Sequence, residues 1–379
     1  MTGRRRVLHV FSTFAPAGPQ VRTAALMGSF GDAFEHEVLA ADGCLDALEL
    51  LAEGVQARAG TFPQASGLFG TRRAFKTRLQ EDPPDLLCTY NWGSFDAVLA
   101  ARALGFTRHL HHEDGFNADE AHRRKLRRTW ARRWGLARCA RVYVPSTGLA
   151  EIATHEWGVA PARVAHLVNG VRTDRFTPTG PEDERVLQGL GIPAGSRVIG
   201  AVGHLRPVKR YDRLLRAFAS LGSPPEQDPP HLVLVGDGPE RSRLTELVRE
   251  LGLESSGRVH LPGHQAELAD WYRAFDVLAI SSDSEQLPVS LLEGMACALP
   301  VASTDVGDVR ATLPEGSREA VVPTAGEHDA LAAALRALLN DPERRMREGV
   351  RNRSRVEDRY SHEAMVAAHR ALYDEALGH

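Results

Sequence analysis

The run V-L-A-I-S-S-D-S-E-Q-L-P-V-S-L-L-E-G-M-A-C, Val277 to Cys297, decides how the chain folds. Its four apolar residues Val277–Ile280 read as a buried strand, and Ser281 to Leu287 as a polar loop. Pro288 stands where a first helical position tolerates proline, so a helix is expected to start near Leu287 with its free N–H groups pointing outward. Strand, loop and helix in that order form half of a βαβ unit, and the same style recurs along the chain. One series of β-branched runs comprises Arg6–Phe11, Glu37–Ala40, Asp85–Thr89, Arg108–His111, Arg141–Val144 and Val164–Val168. A second comprises Val198–Val202, Leu232–Gly236, Val259–Leu261, Val277–Ile280, Leu299–Ala302 and Ala320–Val322. Room for one helix between successive strands predicts α/β architecture with two parallel sheets. Thr177–Ser196, with its prolines and glycines, reads as a linker, and Gly222–Pro230 as a surface loop. The expected domains are 1–177 and 178–359, with a last helix in 360–379 bracing one domain against the other. Open parallel sheets bind ligands at the carboxyl ends of their strands, so two Rossmann-like domains facing a cleft would line it with strand-to-helix loops.

The chain has 379 residues, 43% of them apolar, enough for more than one core. Its 46 Lys and Arg against 49 Asp and Glu leave a net charge of −3, without the basic excess that a nucleic-acid binder carries. Cys44, Cys88, Cys139 and Cys297 lie far apart, which argues against a disulfide framework and a zinc site. Met1 to Ala15 is too polar for a secretory leader, and no stretch reaches the ~20 apolar residues of a membrane span. A cytoplasmic protein is expected. Lys76, Lys125 and Lys209 are the only lysines.

Glu285 falls in the loop before the helix, and Glu293 more than a turn inside it among Val289, Leu291, Leu292 and Met295. A carboxylate in so apolar a helix is costly unless satisfied, either by solvent or by a ligand. The loop Gly203 to Asp212, G-H-L-R-P-V-K-R-Y-D, gathers His204, Arg206, Lys209 and Arg210. Such a group either forms a solvated turn or holds a diphosphate. Among so many arginines, a lysine there favours a compact point charge. Val235–Arg241, with Gly236, and Leu261–His264, with Gly263, are turns that admit a ligand close to the backbone.

Together these loops resemble the retaining glycosyltransferases of family 4, which have the two-domain GT-B fold. The resemblance rests on Glu285 and Glu293 as an E-x7-E pair, Gly203 to Lys209 as G-x-L-x-x-x-K, Gly236-Asp-Gly-Pro-Glu240, and Gly263 followed by Tyr272–Asp276. In the first half it rests on the Gly18 loop and Asn169-Gly-Val171. It implies a nucleotide-sugar donor, UDP ahead of GDP, held by the second domain, and a glycan, lipid-linked or small-molecule acceptor held by the first. Glu293 would then bind ribose, Glu285 the donor sugar, the backbone of Gln286, Leu287 and Pro288 the sugar and diphosphate, and Lys209 with a neighbouring cation the diphosphate. No cofactor or metal is implied, and no D-x-D triplet occurs. His204 stands where the family usually has arginine, and Arg172 where it tends to have an acid. The family places a histidine near the reacting carbon. His111 fits that position best, with Asp114 as the alternative. A nucleotide-sugar 2-epimerase of the same fold and a non-catalytic binding module are the rival expectations.

Arg123–Trp134, R-R-K-L-R-R-T-W-A-R-R-W, holds seven cations and no acid. Leu126, Trp130 and Trp134 share one face of a helix. That face either packs on the core or lies on an anionic membrane surface as a peripheral contact.

Overall fold

The computed structural model describes residues 4–67, 69–116, 120, 125–179, 185–222, 228–326 and 328–378. The strands among these described residues are β1 (Arg5–Phe11), β2 (Phe34–Ala40), β3 (Ala57–Ala59), β4 (Leu86–Tyr90), β5 (His109–His112), β6 (Arg141–Val144), β7 (Val164–His166), β8 (Val198–Val202), β9 (His231–Val235), β10 (Val259–Gly263), β11 (Val277–Ile280), β12 (Val301–Thr304) and β13 (Val321–Val322). They form two parallel sheets, ordered β3-β2-β1-β4-β5-β6-β7 and β10-β9-β8-β11-β12-β13. In each, the chain winds outward one way from its first strand and then returns to the other side of it. This is the doubly wound order, and it opens a switch point between β1 and β4 and another between β8 and β11.

The chain divides into two compact units, Met1–Asn169 with Glu363–His379, and Gly170–His362. The division falls after Asn169, a few residues before the expected boundary at Thr177. Arg185–Gln188 in the expected linker is a short helix, while 180–184 lie outside the described residues, as do 223–227 of the expected surface loop. The helix His362–Leu377 belongs to the first unit, where Met365, Leu372 and Tyr373 pack with Val7, Phe11 and Phe34. The other face of β1, Leu8 and Val10, packs on Phe75 and Leu79. Both faces are buried, which is why these strands read as continuous apolar runs.

Two expectations are corrected. The three-residue edge strand β3 was not expected, because Ala57-Arg58-Ala59 has little strand propensity. The helix after β11 runs Val289–Ala296 with Pro288 as its N-cap residue, so the proline precedes the first turn.

In the middle of β8, Gly200 has no room for a side chain, since a Cβ would run into the Phe275 ring. Gly200→Ala is expected to lose about 1–3 kcal/mol of stability through overpacking, measured as a lower urea midpoint at unchanged slope.

Candidate functional site

In the second unit the loops that leave β8 and β11 on either side of the switch point are stitched to each other. The Asp283 amide donates to the Val208 carbonyl at 2.9 Å, and Ser281 Oγ to the Lys209 carbonyl at 2.8 Å. Buried Arg213 ties the β11 loop from beneath, donating to the Ser281 carbonyl at 2.8 Å and to Asp283 at 2.7 Å. On this frame Lys209 Nζ donates to Glu285 Oε1 at 2.6 Å, and Ser282 Oγ to the same oxygen at 2.6 Å. Both members of the ion pair are mostly but not fully buried. Gln286 is half-buried, and Leu287 and Pro288 are buried. Gly307, at φ +50° in the left-handed region, lies under this stretch, and any Cβ there would run into the Gln286 carbonyl.

The glycines of the Gly236 turn serve backbone packing first. A Cβ on Gly236 would run into the Gly203 carbonyl, and one on Gly238 would stand 2.7 Å from the Leu205 carbonyl. The Leu205 amide donates to Asp237 O at 2.9 Å, and the Gly236 amide to Gly263 O at 2.9 Å, so three loops interlock at the sheet edge. Glu293 is satisfied by Tyr272, whose hydroxyl donates to Oε2 at 2.7 Å. Burial raises the Glu293 carboxyl above its ordinary range, against the opposing pull of that bond.

The four expected cations separate. Arg210 is taken by Asp212 and Asp283. His204 is exposed at its surface, yet partial desolvation and then Arg206 lower its imidazole below the ordinary value. The share of positive charge that His204 carries near neutral pH is therefore reduced. Exposed Arg206 and Lys209 remain as the positive charges of this loop.

In the first unit, His111 and Asp114 lie at the end of β5 in different settings. His111 is fully buried, with Nδ1 2.8 Å from Thr89 Oγ1, which also meets His109 Nε2 at 2.8 Å. Its Nε2 is 3.6 Å from Glu113. Asp114 accepts both terminal nitrogens of Arg22, one at 3.0 Å, and its amide donates to Asn91 Oδ1 at 2.7 Å. Arg22 also reaches Asn169 Oδ1 at 3.2 Å. Gly18 is the first residue of the helix Gly18–Phe30 and not a loop residue, with open space where a Cβ would stand. Sequence reasoning missed Ser282, Tyr272, Arg22 and Asn91 as partners. Of these only Asn91 carried a signal, as an asparagine able to hold its positive φ of 54°.

The model of glycosyl transferases group 1 matches residues 182–355, and that of glycosyltransferase family 4 matches residues 5–175. The chain is 38% identical over 216 residues to the D-inositol 3-phosphate glycosyltransferase of Kineococcus radiotolerans, covering 53% of this chain and 49% of that protein. It is 33% identical over 239 residues to that of Xylanimonas cellulosilytica, covering 60% and 55%. The chain thus spans about half the length of the curated relatives it matches. Among solved structures it is similar to the Anabaena protein HepE in complex with UDP and glucose, at 20% identity and a TM-score of 0.79, covering 98% of this chain and 99% of that one. It is also similar to sucrose-phosphate synthase from Thermosynechococcus elongatus, at 22% identity and a TM-score of 0.81 over the same shares. With two doubly wound units of the GT-B fold and a glycosyltransferase model matched along each half, the chain belongs to glycosyltransferase family 4.

Proposed function

We propose that this protein moves a sugar from a nucleotide-diphosphate sugar, with UDP ahead of GDP, to a glycan, lipid-linked or small-molecule acceptor, and that the anomeric configuration is retained. The observation that carries this reading is the Lys209–Glu285 pair at the switch point of the second sheet. A dissociating donor develops positive charge on the sugar and negative charge on the departing diphosphate. Lys209 supplies a fixed cation for the diphosphate with Arg206 beside it, and Glu285 an acceptor for sugar hydroxyls. The backbone of Gln286, Leu287 and Pro288 borders the same space, and Glu293 takes the ribose hydroxyls. In the first unit Asp114, held by Arg22, and His111, held by Thr89, are the candidate groups on the acceptor side. The solved complex of the Anabaena protein with UDP and glucose supports a UDP-sugar donor. The names of the curated relatives support a hydroxyl-bearing acceptor.

Incubation with UDP-sugars and a set of acceptors, followed by proton NMR of the product, tests this. Retention predicts the donor's anomeric configuration in the product. Inversion at C2 of the sugar without any acceptor would instead establish the epimerase. Glu293→Gln keeps the Tyr272 hydrogen bond but removes the charge. UDP affinity is expected to fall about 10- to 100-fold, as for a lost hydrogen bond to a charged group, with the melting temperature of the free protein nearly unchanged. Calorimetric titration with UDP measures it, and unchanged affinity removes Glu293 from the ribose site.

A further inference from the structure

The helix Leu126–Gly135 turns its apolar stripe away from the core. Leu126, Trp130 and Trp134 are 75%, 68% and 52% exposed, while Arg132 on the opposite face is 1% exposed. Of the two expected settings for the stripe, packing on the core is not the one found, and the reason lies on the inner face. Arg132 Nε donates to Glu113 at 2.9 Å, and Arg128 Nη1 to Glu120 at 2.8 Å. The Arg132 guanidinium also lies 5.1 Å from the Trp157 ring centre and 5.2 Å from that of Trp92. Rolling the helix to bury the tryptophans would break this buried ion pair, at a cost of about 3–5 kcal/mol.

On the outer face, Arg127 and Arg133 border the stripe, and Arg102 lies over Trp134 at 4.3 Å from its ring centre. From Lys125 to Arg138 the sequence has no acidic residue. A row of two indoles and a leucine is too narrow for a stable protein interface, which needs roughly 800 Å² from each partner. It fits the boundary between lipid headgroups and acyl chains, where an indole keeps one end wet and arginines meet lipid phosphates. Arg123 and Arg124, the start of the expected basic segment, lie outside the described residues. No helix among the described residues is long and apolar enough to cross a membrane, so contact through this face would be peripheral.

We propose that the outer face of Leu126–Gly135 docks on an anionic lipid surface, with Trp130 and Trp134 at headgroup level and Arg127 and Arg133 on the lipid phosphates. The proposal is independent of the transfer reaction, because vesicle binding needs neither donor nor acceptor. The full chain is sedimented with vesicles of phosphatidylcholine alone and of phosphatidylcholine with phosphatidylglycerol, while tryptophan emission is followed. Binding and a blue shift are expected with the anionic vesicles only. Trp130→Ser with Trp134→Ser is expected to abolish binding at an unchanged melting temperature, since both side chains are exposed. Arg127→Ser with Arg133→Ser is expected to weaken it roughly 25-fold, at about fivefold per cation near a charged surface. Three outcomes would overturn the proposal: no binding to anionic vesicles, equal binding by the tryptophan variant, or a wild-type dimer in solution that the tryptophan variant converts to monomer.

Discussion

Lys209→Met is expected to lower kcat by about 10²- to 10³-fold, the cost of removing one preorganised charge from a site where charge develops. The ammonium is fixed before any substrate arrives, by Glu285 at 2.6 Å and by the loop that Ser281 and Asp283 hold from below. Its strongest interaction with the donor is due only as the diphosphate leaves, so UDP affinity should fall less than kcat does. Lys209→Arg should recover only part of the loss, because a planar fork cannot stand where a point charge stood. The fold should survive, since Ser282 still satisfies Glu285. Steady-state kinetics with a UDP-sugar, UDP calorimetry and a melting curve read the three quantities. A Lys209→Met enzyme within threefold of the wild-type kcat would remove Lys209 from the reaction.

The sheets were legible because strands buried on both faces must be written as apolar runs, and twelve of them stood at βαβ spacing. The site loops were legible in order, since each directly follows a strand. What the sequence did not disclose depends on partners distant along the chain. The outward stripe at Trp130 follows from Arg132 meeting Glu113, and a period of 3.6 residues is the same whether the stripe faces core or water. The lowered basicity of His204 follows from desolvation and Arg206, which no spacing announces. The Arg22–Asp114 pair joins residues from the first helix and the end of the fifth strand. Glu293 posed a problem, a carboxylate in an apolar helix, whose solution in Tyr272 came from the segment before the neighbouring strand.

Acidification is expected to unfold the first unit before the second, with a midpoint between about pH 6 and pH 4.5. His9, His36, His109, His112 and His369 are all buried in the first unit. Burial first of all pushes His36 down to about 4, and His109 and His369 to about 3, while His9 and His112 fall well below the ordinary 6.5. Neighbouring positive or potentially positive groups add to this at four of them: His36 for His9, His111 for His109, and Arg22 for His112 and His369. The rings are held as neutral species: His9 bridges Tyr90 at 2.9 Å and His36 at 3.0 Å, and His112 stacks on Tyr90 at 4.5 Å between ring centres. Each histidine has a lower pKa folded than unfolded, so below 6.5 the unfolded chain binds more protons. Stability is fully present above 6.5 and falls with pH at about 1.4 kcal/mol per unit for each group. Five groups together approach about 7 kcal/mol per unit, against total stabilities of roughly 5–15 kcal/mol for a domain. In the second unit the lowered His231 and His260 are only partly buried and His204 is exposed, so the same titration draws less from it. Four of the five tryptophans, Trp92, Trp130, Trp134 and Trp157, lie in the first unit and only Trp271 in the second, so fluorescence reports the first transition. Potentiometric titration across that transition should register uptake of three or more protons. An uptake below two, or a first unit still folded at pH 4, would mean that these histidines are not what limits it in acid.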